Sequence, residues 1–145
     1  MKIVVSACLI GTNCRYDGGN SKNLNVINLT KNDDIIPVCP EEAGGLPTPR
    51  PAVEIVGGDG NDVLDGKAKV LTVDGKDKTA EFIKGAQYAL DLILSEGVKK
   101  VILKSRSPSC GCGEIYDGSF NRNVISGDGV TTALLKRHGI EVVSM

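Results

Sequence analysis

Three β-branched apolar runs dominate this sequence, and a cysteine lies near the end of each run or in the loop that follows it. The run at residues 2–9 includes Cys8, the run at 34–39 ends on Cys39, and the run at 99–103 precedes a loop that contains Cys110. Continuous apolar runs are typical of strands buried on both faces of a parallel sheet. Because sites in open α/β sheets lie outside the carboxyl ends of the strands, we expect these cysteines to converge.

Segments with helical periodicity separate the apolar runs. The clearest helix begins near residue 77 or 79 and continues to about residue 96, where Gly97 ends it. Shorter helices are predicted over residues 23–29 and 130–137, the second of them capped by Asp128. Strands that alternate with helices in this way predict a parallel α/β sheet.

Two further β-branched segments, residues 53–56 and 68–73, predict a small surface hairpin. A length of 145 residues suits one hydrophobic core, so we expect a single domain spanning residues 1–145. The predicted fold is therefore α/β, a Rossmann-like open sheet that is mostly parallel and carries a small β-hairpin insertion.

Composition limits the partners of the chain. The formal net charge is −1, which provides no electrostatic footprint for duplex nucleic acid. Only seven residues precede Cys8, too few for a secretory leader, and no segment approaches the roughly 18 apolar residues of a membrane span. We therefore expect a cytoplasmic protein that binds neither membranes nor duplex nucleic acid.

Five cysteines in a reducing compartment favour metal binding or catalysis over structural disulfides. The alternative is that the cysteines are small buried hydrophobic residues. Three thiolates around one metal site leave a coordination position open, as in catalytic sites. Zinc usually favours C-x-x-C pairs, which are absent here, so an iron–sulfur cubane fits better, although spacing alone leaves both open.

The cysteines lie in motifs that resemble those of the family of unknown function 523, some members of which are thiouracil desulfidases dependent on a four-iron, four-sulfur ([4Fe-4S]) cluster. The resemblance covers nearly the whole chain. The segments that carry it are Ser6–Gly11 with Cys14–Gly18, Cys39–Glu41 with Gly44–Arg50, and Ser107–Gly111.

This resemblance implies roles for individual residues. Cys8, Cys39 and Cys110 would be the cluster ligands, Glu41 an acid/base group, and Ser107 a residue that positions substrate or water. The implied activity is removal of sulfur from a small thiolated nucleobase or a related molecule, with sulfide bound at the open iron. The alternatives are a sulfur carrier for nucleoside thiolation and a non-catalytic metal-binding module.

For the other polar and thiol side chains near these motifs, our predictions are less specific. Cys14 and Cys112 match no ligand of the motif, and we expect buried or loop thiols there. Arg15, Asp17 and Arg50 lie in polar loops close to the ligand cysteines. They either orient a planar, hydrogen-bonding substrate or bridge loops.

Overall fold

The computed structural model describes residues 1–145 and contains eight strands and five helices. The strands are β1 (Lys2–Ser6), β2 (Asp34–Val38), β3 (Val53–Val56), β4 (Lys69–Thr72), β5 (Lys100–Leu103), β6 (Glu114–Tyr116), β7 (Val124–Ser126) and β8 (Val142–Ser144). The helices are α1 (Leu24–Thr30), α2 (Pro40–Ala43), α3 (Gly60–Leu64), α4 (Thr79–Glu96) and α5 (Val130–Arg137), and a 3₁₀ turn (Ala7–Ile10) follows β1.

The central sheet has the strand order β2-β1-β5-β8, and all of its strands are parallel. In the register of this sheet, Ile3 of β1 lies between Ile35 of β2 and Lys100 of β5. The remaining strands form two separate antiparallel pairs, β3 with β4 and β6 with β7. The predicted α/β class with a mostly parallel sheet is confirmed.

Alternate side chains of the central strands enter different hydrophobic clusters. Ile3 and Val5 of β1 belong to one cluster, whereas Val4 packs on the other face with Leu90 and Ile93 of α4. Because successive side chains of a strand point to opposite faces, a strand covered on both sides must be apolar at every position. This double coverage explains why the first apolar run is continuous.

The β3–β4 hairpin forms as predicted, but the prediction that it lies on the surface is wrong. Ile55 of β3 and Val70 of β4 are buried in a cluster that also contains Phe82 of α4. The hairpin therefore forms a second hydrophobic core beside the main sheet. In β4, buried Val70 and Thr72 alternate with the more exposed Lys69 and Leu71, but the sequence does not show which element covers the buried face.

Three local details differ from the sequence-based expectations. The segment between β3 and β4, predicted as turns, contains α3, which begins with a capping box between Asp59 and Asp62. The β6–β7 hairpin was not predicted. Asp128 does not cap α5. Its carboxylate instead accepts a hydrogen bond from the backbone N–H of Gly113 and pairs with Lys136.

The long helix α4 agrees with its prediction at both ends. It runs from Thr79 to Glu96, and Gly97 follows in the left-handed conformation with φ +65°. Glycine adopts this conformation without the steric cost that a Cβ imposes. No helix of the chain combines the length and the apolar character needed to cross a bilayer.

Candidate functional site

The carboxyl ends of β1, β2 and β5 open onto one cavity of about 910 Å³. Cys8 follows β1, Cys39 follows β2, and Cys110 lies in the loop after β5. All three line this cavity, as do Cys14 and Cys112. The structure thus brings the three predicted ligand cysteines to the same edge of the sheet.

Cys8 lies in the 3₁₀ turn that immediately follows β1. Its carbonyl oxygen accepts hydrogen bonds from the backbone N–H of Gly11, which closes the turn, and from that of Ser21, which joins the following loop to it. Gly11 has φ +101°, a conformation that L side chains rarely adopt. Hydrogen bonding to the Cys14 thiol lowers the pKa of Cys8. The local backbone therefore fixes the position of a thiol whose pKa is lowered.

Cys39 lies between β2 and the one-turn helix α2, where Pro40 is the first helical residue. Helix α2 is held tightly against α4 at two glycines. A Cβ at Gly85 of α4 would lie 1.9 Å from the Pro40 carbonyl oxygen, and one at Gly44 would lie 2.0 Å from the Glu81 carbonyl oxygen. This close backbone contact fixes the position of the segment that carries Cys39.

Cys110 is held in its loop by hydrogen bonds from two sides. The Ser107 hydroxyl oxygen accepts from the backbone N–H groups of Ser109 and Cys110, at 3.1 Å each. The Thr132 hydroxyl of α5 donates to the Cys110 carbonyl oxygen at 2.8 Å. Burial, with a smaller contribution from the charge of Glu41, raises the pKa of Cys110 to about 12. The site brings this thiol close to an acidic group.

The spacing of the three thiols discriminates between a single ion and a cluster. The charges of Cys39 and Cys110 both act on Cys8, so the three side chains share one region. They do not all lie within 4.8 Å of one another, a separation that only Cys14, Cys39 and Glu42 satisfy. In a cluster, each cysteine binds a different iron atom, so wider separations are needed than around one ion. The three thiols therefore fit a cluster better than a single metal ion.

Glu41 is held by Arg50 through two hydrogen bonds to the same carboxylate oxygen. Arg50 Nη2 lies 2.6 Å from Glu41 Oε2, and Arg50 Nε lies 2.9 Å from it. Both side chains are largely buried, with 5% and 16% of their surface exposed for Arg50 and Glu41 respectively. Glu41 Oε1 accepts no hydrogen bond from the protein. One oxygen of this carboxylate is thus fixed and the other is free.

Arg50 joins three segments of the chain. Besides the bonds to Glu41, its Nη2 donates to the Cys14 carbonyl oxygen at 2.9 Å, and its Nη1 donates to Pro47 O at 3.1 Å and Thr48 Oγ1 at 2.9 Å. These contacts use all five N–H groups of the guanidinium. The structure therefore favours loop bridging over direct substrate binding for Arg50.

Arg15 and Asp17 occupy the rim of the site. Arg15 lines the cavity, donates to Ser21 Oγ at 2.8 Å, and lies over the Tyr16 ring with 5.8 Å between the guanidinium carbon and the ring centroid. Asp17 does not line the cavity, and its Oδ1 lies 3.7 Å from Arg15 Nε. Only Arg15 of this pair is placed to meet a molecule inside the cavity.

The two remaining cysteines have different surroundings. The Cys112 thiol donates to the Val142 carbonyl oxygen of β8 at 3.7 Å. Cys14 is buried beside Cys8 and Cys39. Its pKa rises to about 11, because hydrogen bonding to Cys8 and burial outweigh the lowering effect of the hydrogen bond from Cys39. The expectation of a buried thiol at Cys14 is confirmed, but its contact with two predicted ligands was not foreseen.

Lys104 is a cavity residue that the sequence analysis missed. It directly follows β5 and lines the cavity, and its ammonium donates to Ser105. Burial lowers its pKa, while the nearby Cys8 thiol raises it by a smaller amount. Its position directly after a strand, equivalent to that of Cys39 after β2, is the signal that could have identified it.

Comparison with known proteins agrees with this geometry. The family profile described as 2-thiouracil desulfurase matches residues 3–145. The chain belongs to the 2-thiouracil desulfurase family. The resemblance to the family of unknown function 523 is thereby confirmed.

Two relatives show how far the similarity extends. The chain is 44% identical over 142 residues to the uncharacterized protein YbbK of Bacillus subtilis (strain 168), covering 98% of this chain and 94% of that protein. A solved structure, the [4Fe-4S]-dependent thiouracil desulfidase TudS (DUF523Vcz), is 46% identical and superimposes with a TM-score of 0.83. That match covers 99% of this chain and 89% of the other. Both similarities extend over the whole fold and are not confined to the cysteine motifs.

Proposed function

We propose that this chain is a [4Fe-4S]-dependent desulfidase that hydrolyses the C–S bond of a small thiolated nucleobase of the thiouracil type. The observation that carries the proposal is the meeting of Cys8, Cys39 and Cys110 at one cavity, beside an anchored carboxylate. The 46% identity to a structure titled as a [4Fe-4S]-dependent thiouracil desulfidase supports it. We further propose that residues 1–145 act as one domain in this function.

Cys8, Cys39 and Cys110 are the residues that would hold the cluster. When bound, the cluster would supply a Lewis-acidic iron without a cysteine ligand, which suits the soft sulfur of a thiocarbonyl group. The three thiols reach the site from segments that follow three adjacent strands of one sheet, Cys8 and Cys39 close to the strand ends and Cys110 in a longer loop. A rigid sheet edge keeps such ligands at fixed separations, as a functional site requires.

Glu41 is the proposed general base and acid. Its Oε2 is held by Arg50, whereas Oε1 has no protein partner and is available to take a proton from water. The water oxygen then attacks the carbon that carries sulfur, and Glu41 returns the proton as the C–S bond breaks. Arg50 acts as a positioning residue, because its bonds keep the carboxylate in one orientation.

The hydroxyl of Ser107 has its oxygen occupied and its hydrogen free. The oxygen accepts two backbone N–H groups of its own loop, so the hydroxyl hydrogen is the part left to bind substrate or water. Ser107 therefore has a structural role toward Cys110 and a proposed positioning role toward the reacting water.

The rim residues suit a planar substrate. Arg15 keeps N–H groups beyond its bond to Ser21, and Tyr16 lies beside it on the cavity wall with 40% of its surface exposed. We assign Arg15 to substrate orientation and Asp17 to holding Arg15. We assign Arg50 to positioning Glu41 and bridging loops, and not to binding the substrate.

The overall reaction balances as a hydrolysis. The oxygen of one water replaces sulfur on the ring carbon, so a thiocarbonyl becomes a carbonyl. Both water protons leave with sulfur as hydrogen sulfide, and no external oxidant or reductant is consumed. Glu41 ends the cycle in the protonation state in which it began.

The proposal is tested by incubating anaerobically reconstituted protein with 2-thiouracil. We expect loss of the thiocarbonyl absorbance, formation of uracil and release of sulfide in equal amounts. Sulfide that stays on the protein after one turnover would instead indicate a sulfur carrier. Full cluster content with no uracil formed would contradict the proposed activity.

A further inference from the structure

A second group of metal-binding side chains lies beside the proposed cluster site. The sulfur atoms of Cys14 and Cys39 and a carboxylate oxygen of Glu42 all lie within 4.8 Å of one another. Among the His, Cys, Asp and Glu side chains of the chain, no other group of three satisfies this spacing. The group shares Cys39 with the proposed cluster but otherwise uses different residues.

Hydrogen bonds from side chains hold these three residues together. The Cys39 thiol donates to the Cys14 carbonyl oxygen at 3.7 Å, and Arg50 Nη2 donates to the same oxygen at 2.9 Å. The Thr48 hydroxyl donates to Glu42 Oε2 at 2.5 Å. The loop that carries Cys14 is thus joined to the segment that carries Cys39 and Glu42. The packing of these two segments sets the positions of Cys14 and Cys39, and Thr48 holds the carboxylate of Glu42.

The chemistry of these donors selects a class of cation. Zinc binds thiolates at about 2.3 Å and carboxylate oxygens at about 2.0–2.2 Å, in a tetrahedral arrangement. Two thiolates on one tetrahedral ion therefore lie about 3.8 Å apart, which is compatible with donor atoms that all lie within 4.8 Å of one another. Hard cations such as Mg²⁺ prefer oxygen ligands alone. Two thiols and one carboxylate suit zinc and similar thiophilic ions.

The three side chains of the group differ in burial, and an ion is able to enter from the exposed side. Cys14 is buried with 2% of its surface exposed, Cys39 is half-buried, and Glu42 is exposed. An ion arriving from solvent meets the carboxylate first and the buried thiol last. Water is able to complete the coordination on the exposed side.

We propose that the cluster-free protein binds one thiophilic divalent cation through Cys14, Cys39 and Glu42, and that this cation and the cluster exclude each other. The exclusion follows because Cys39 belongs to both sites, and this part rests on the proposed function. The cation site itself does not depend on the cluster. The ion therefore competes directly with cluster loading.

The two metal states depend on different cysteines, which gives a direct test. Cluster-free protein is prepared anaerobically under reducing conditions and titrated with Co²⁺, whose thiolate charge-transfer absorption reports cysteine ligation. We expect one tightly bound Co²⁺ per chain in the parent protein. Cys14→Ser should weaken binding at least about tenfold, whereas Cys110→Ser and the control Cys112→Ser should bind as the parent does.

Glu42→Gln tests the same site without a substitution in the core, since replacing the buried Cys14 can itself disturb the fold. Glu42 lies on the surface, so this change should leave the fold intact by circular dichroism and still weaken Co²⁺ binding about tenfold or more. Parent-like Co²⁺ binding in both Cys14→Ser and Glu42→Gln would overturn the site. Loss of binding in Cys110→Ser would also overturn it, because the ion would then occupy the cluster cysteines.

A separate measurement tests whether the cation and the cluster exclude each other. Parent protein preloaded with Zn²⁺ should incorporate less cluster on addition of iron and sulfide than zinc-free protein, and Cys14→Ser should be insensitive to zinc. Equal cluster yield with and without bound zinc would overturn the exclusion. If zinc-free parent protein forms no cluster at all, the proposed function fails, and the Co²⁺ titration still decides the cation site.

Discussion

Arg50 holds Glu41 by two hydrogen bonds to Oε2 and, through the same Nη2 atom, also holds the Cys14 carbonyl oxygen. The side chain thus connects the proposed base to the loop that follows Cys8. A guanidinium has the fork geometry for these bonds, whereas an ammonium does not. This relationship gives Arg50 a role that depends on shape as well as charge.

Arg50→Lys should lower kcat about tenfold or more and leave KM for 2-thiouracil little changed. The lysine keeps the charge, but it cannot hold Glu41 and the Cys14 loop at once, and small misplacements of a catalytic group are costly. Steady-state kinetics on cluster-replete protein measures the effect. Arg137→Lys, at an exposed arginine paired with Asp65, is the matched control. Unchanged kcat in Arg50→Lys would remove its positioning role.

Glu41→Gln should retain the cluster and the fold and lose about 10²–10⁴-fold in kcat. The amide preserves the shape of the side chain but cannot take up and return the proton, which is the contribution expected of general acid–base catalysis. Glu141→Gln, at an exposed position, controls for a simple change of charge. Near-parental turnover in cluster-replete Glu41→Gln would exclude Glu41 from the mechanism.

Single serine substitutions should divide the five cysteines into those that hold the cluster and those that do not. Cys8→Ser, Cys39→Ser and Cys110→Ser should abolish stable cluster binding, because each removes one of the three thiolates. Cys14→Ser and Cys112→Ser should bind cluster after anaerobic reconstitution, as measured by iron content. Normal iron in Cys110→Ser together with loss in Cys112→Ser would reverse the assignment of that loop.

Much of this site could be predicted from the sequence because its framework is local. Each of the strands β1, β2 and β5 appears as a short apolar run, and the parallel sheet then places Cys8, Cys39 and Cys110 at one edge. The helix α3 was missed because its glycine- and aspartate-rich sequence also suits turns, and only the Asp59–Asp62 capping box reveals the helix. The local sequence is ambiguous where capping decides the structure.

The contacts that refine the site are non-local and could not be predicted in this way. Arg50 reaches a carbonyl 36 positions earlier in the chain, at Cys14. The Cys14 thiol lies near Cys39 because two separate loops pack together, and no periodicity encodes that packing. Sequence patterns give the strand that delivers a residue, but they do not give the loop that packs against it.

Gly85→Ala should destabilise the protein although alanine is the better helix former by about 1 kcal/mol. A Cβ at Gly85 would lie 1.9 Å from the Pro40 carbonyl oxygen, so α2 must move and Cys39 must move with it. We expect a lower thermal midpoint and reduced cluster content. Gln87→Ala, at an exposed position of the same helix, should change neither. A thermal midpoint at or above that of the parent would show that α2 does not depend on this contact.

Metal analysis of anaerobically reconstituted protein tests most directly whether the three cysteines at one sheet edge hold a [4Fe-4S] cluster. We expect about four iron atoms and about four sulfides per chain, with a brown chromophore that is lost in Cys110→Ser. Protein that remains colourless and contains zinc in place of iron and sulfide after full reconstitution would contradict it.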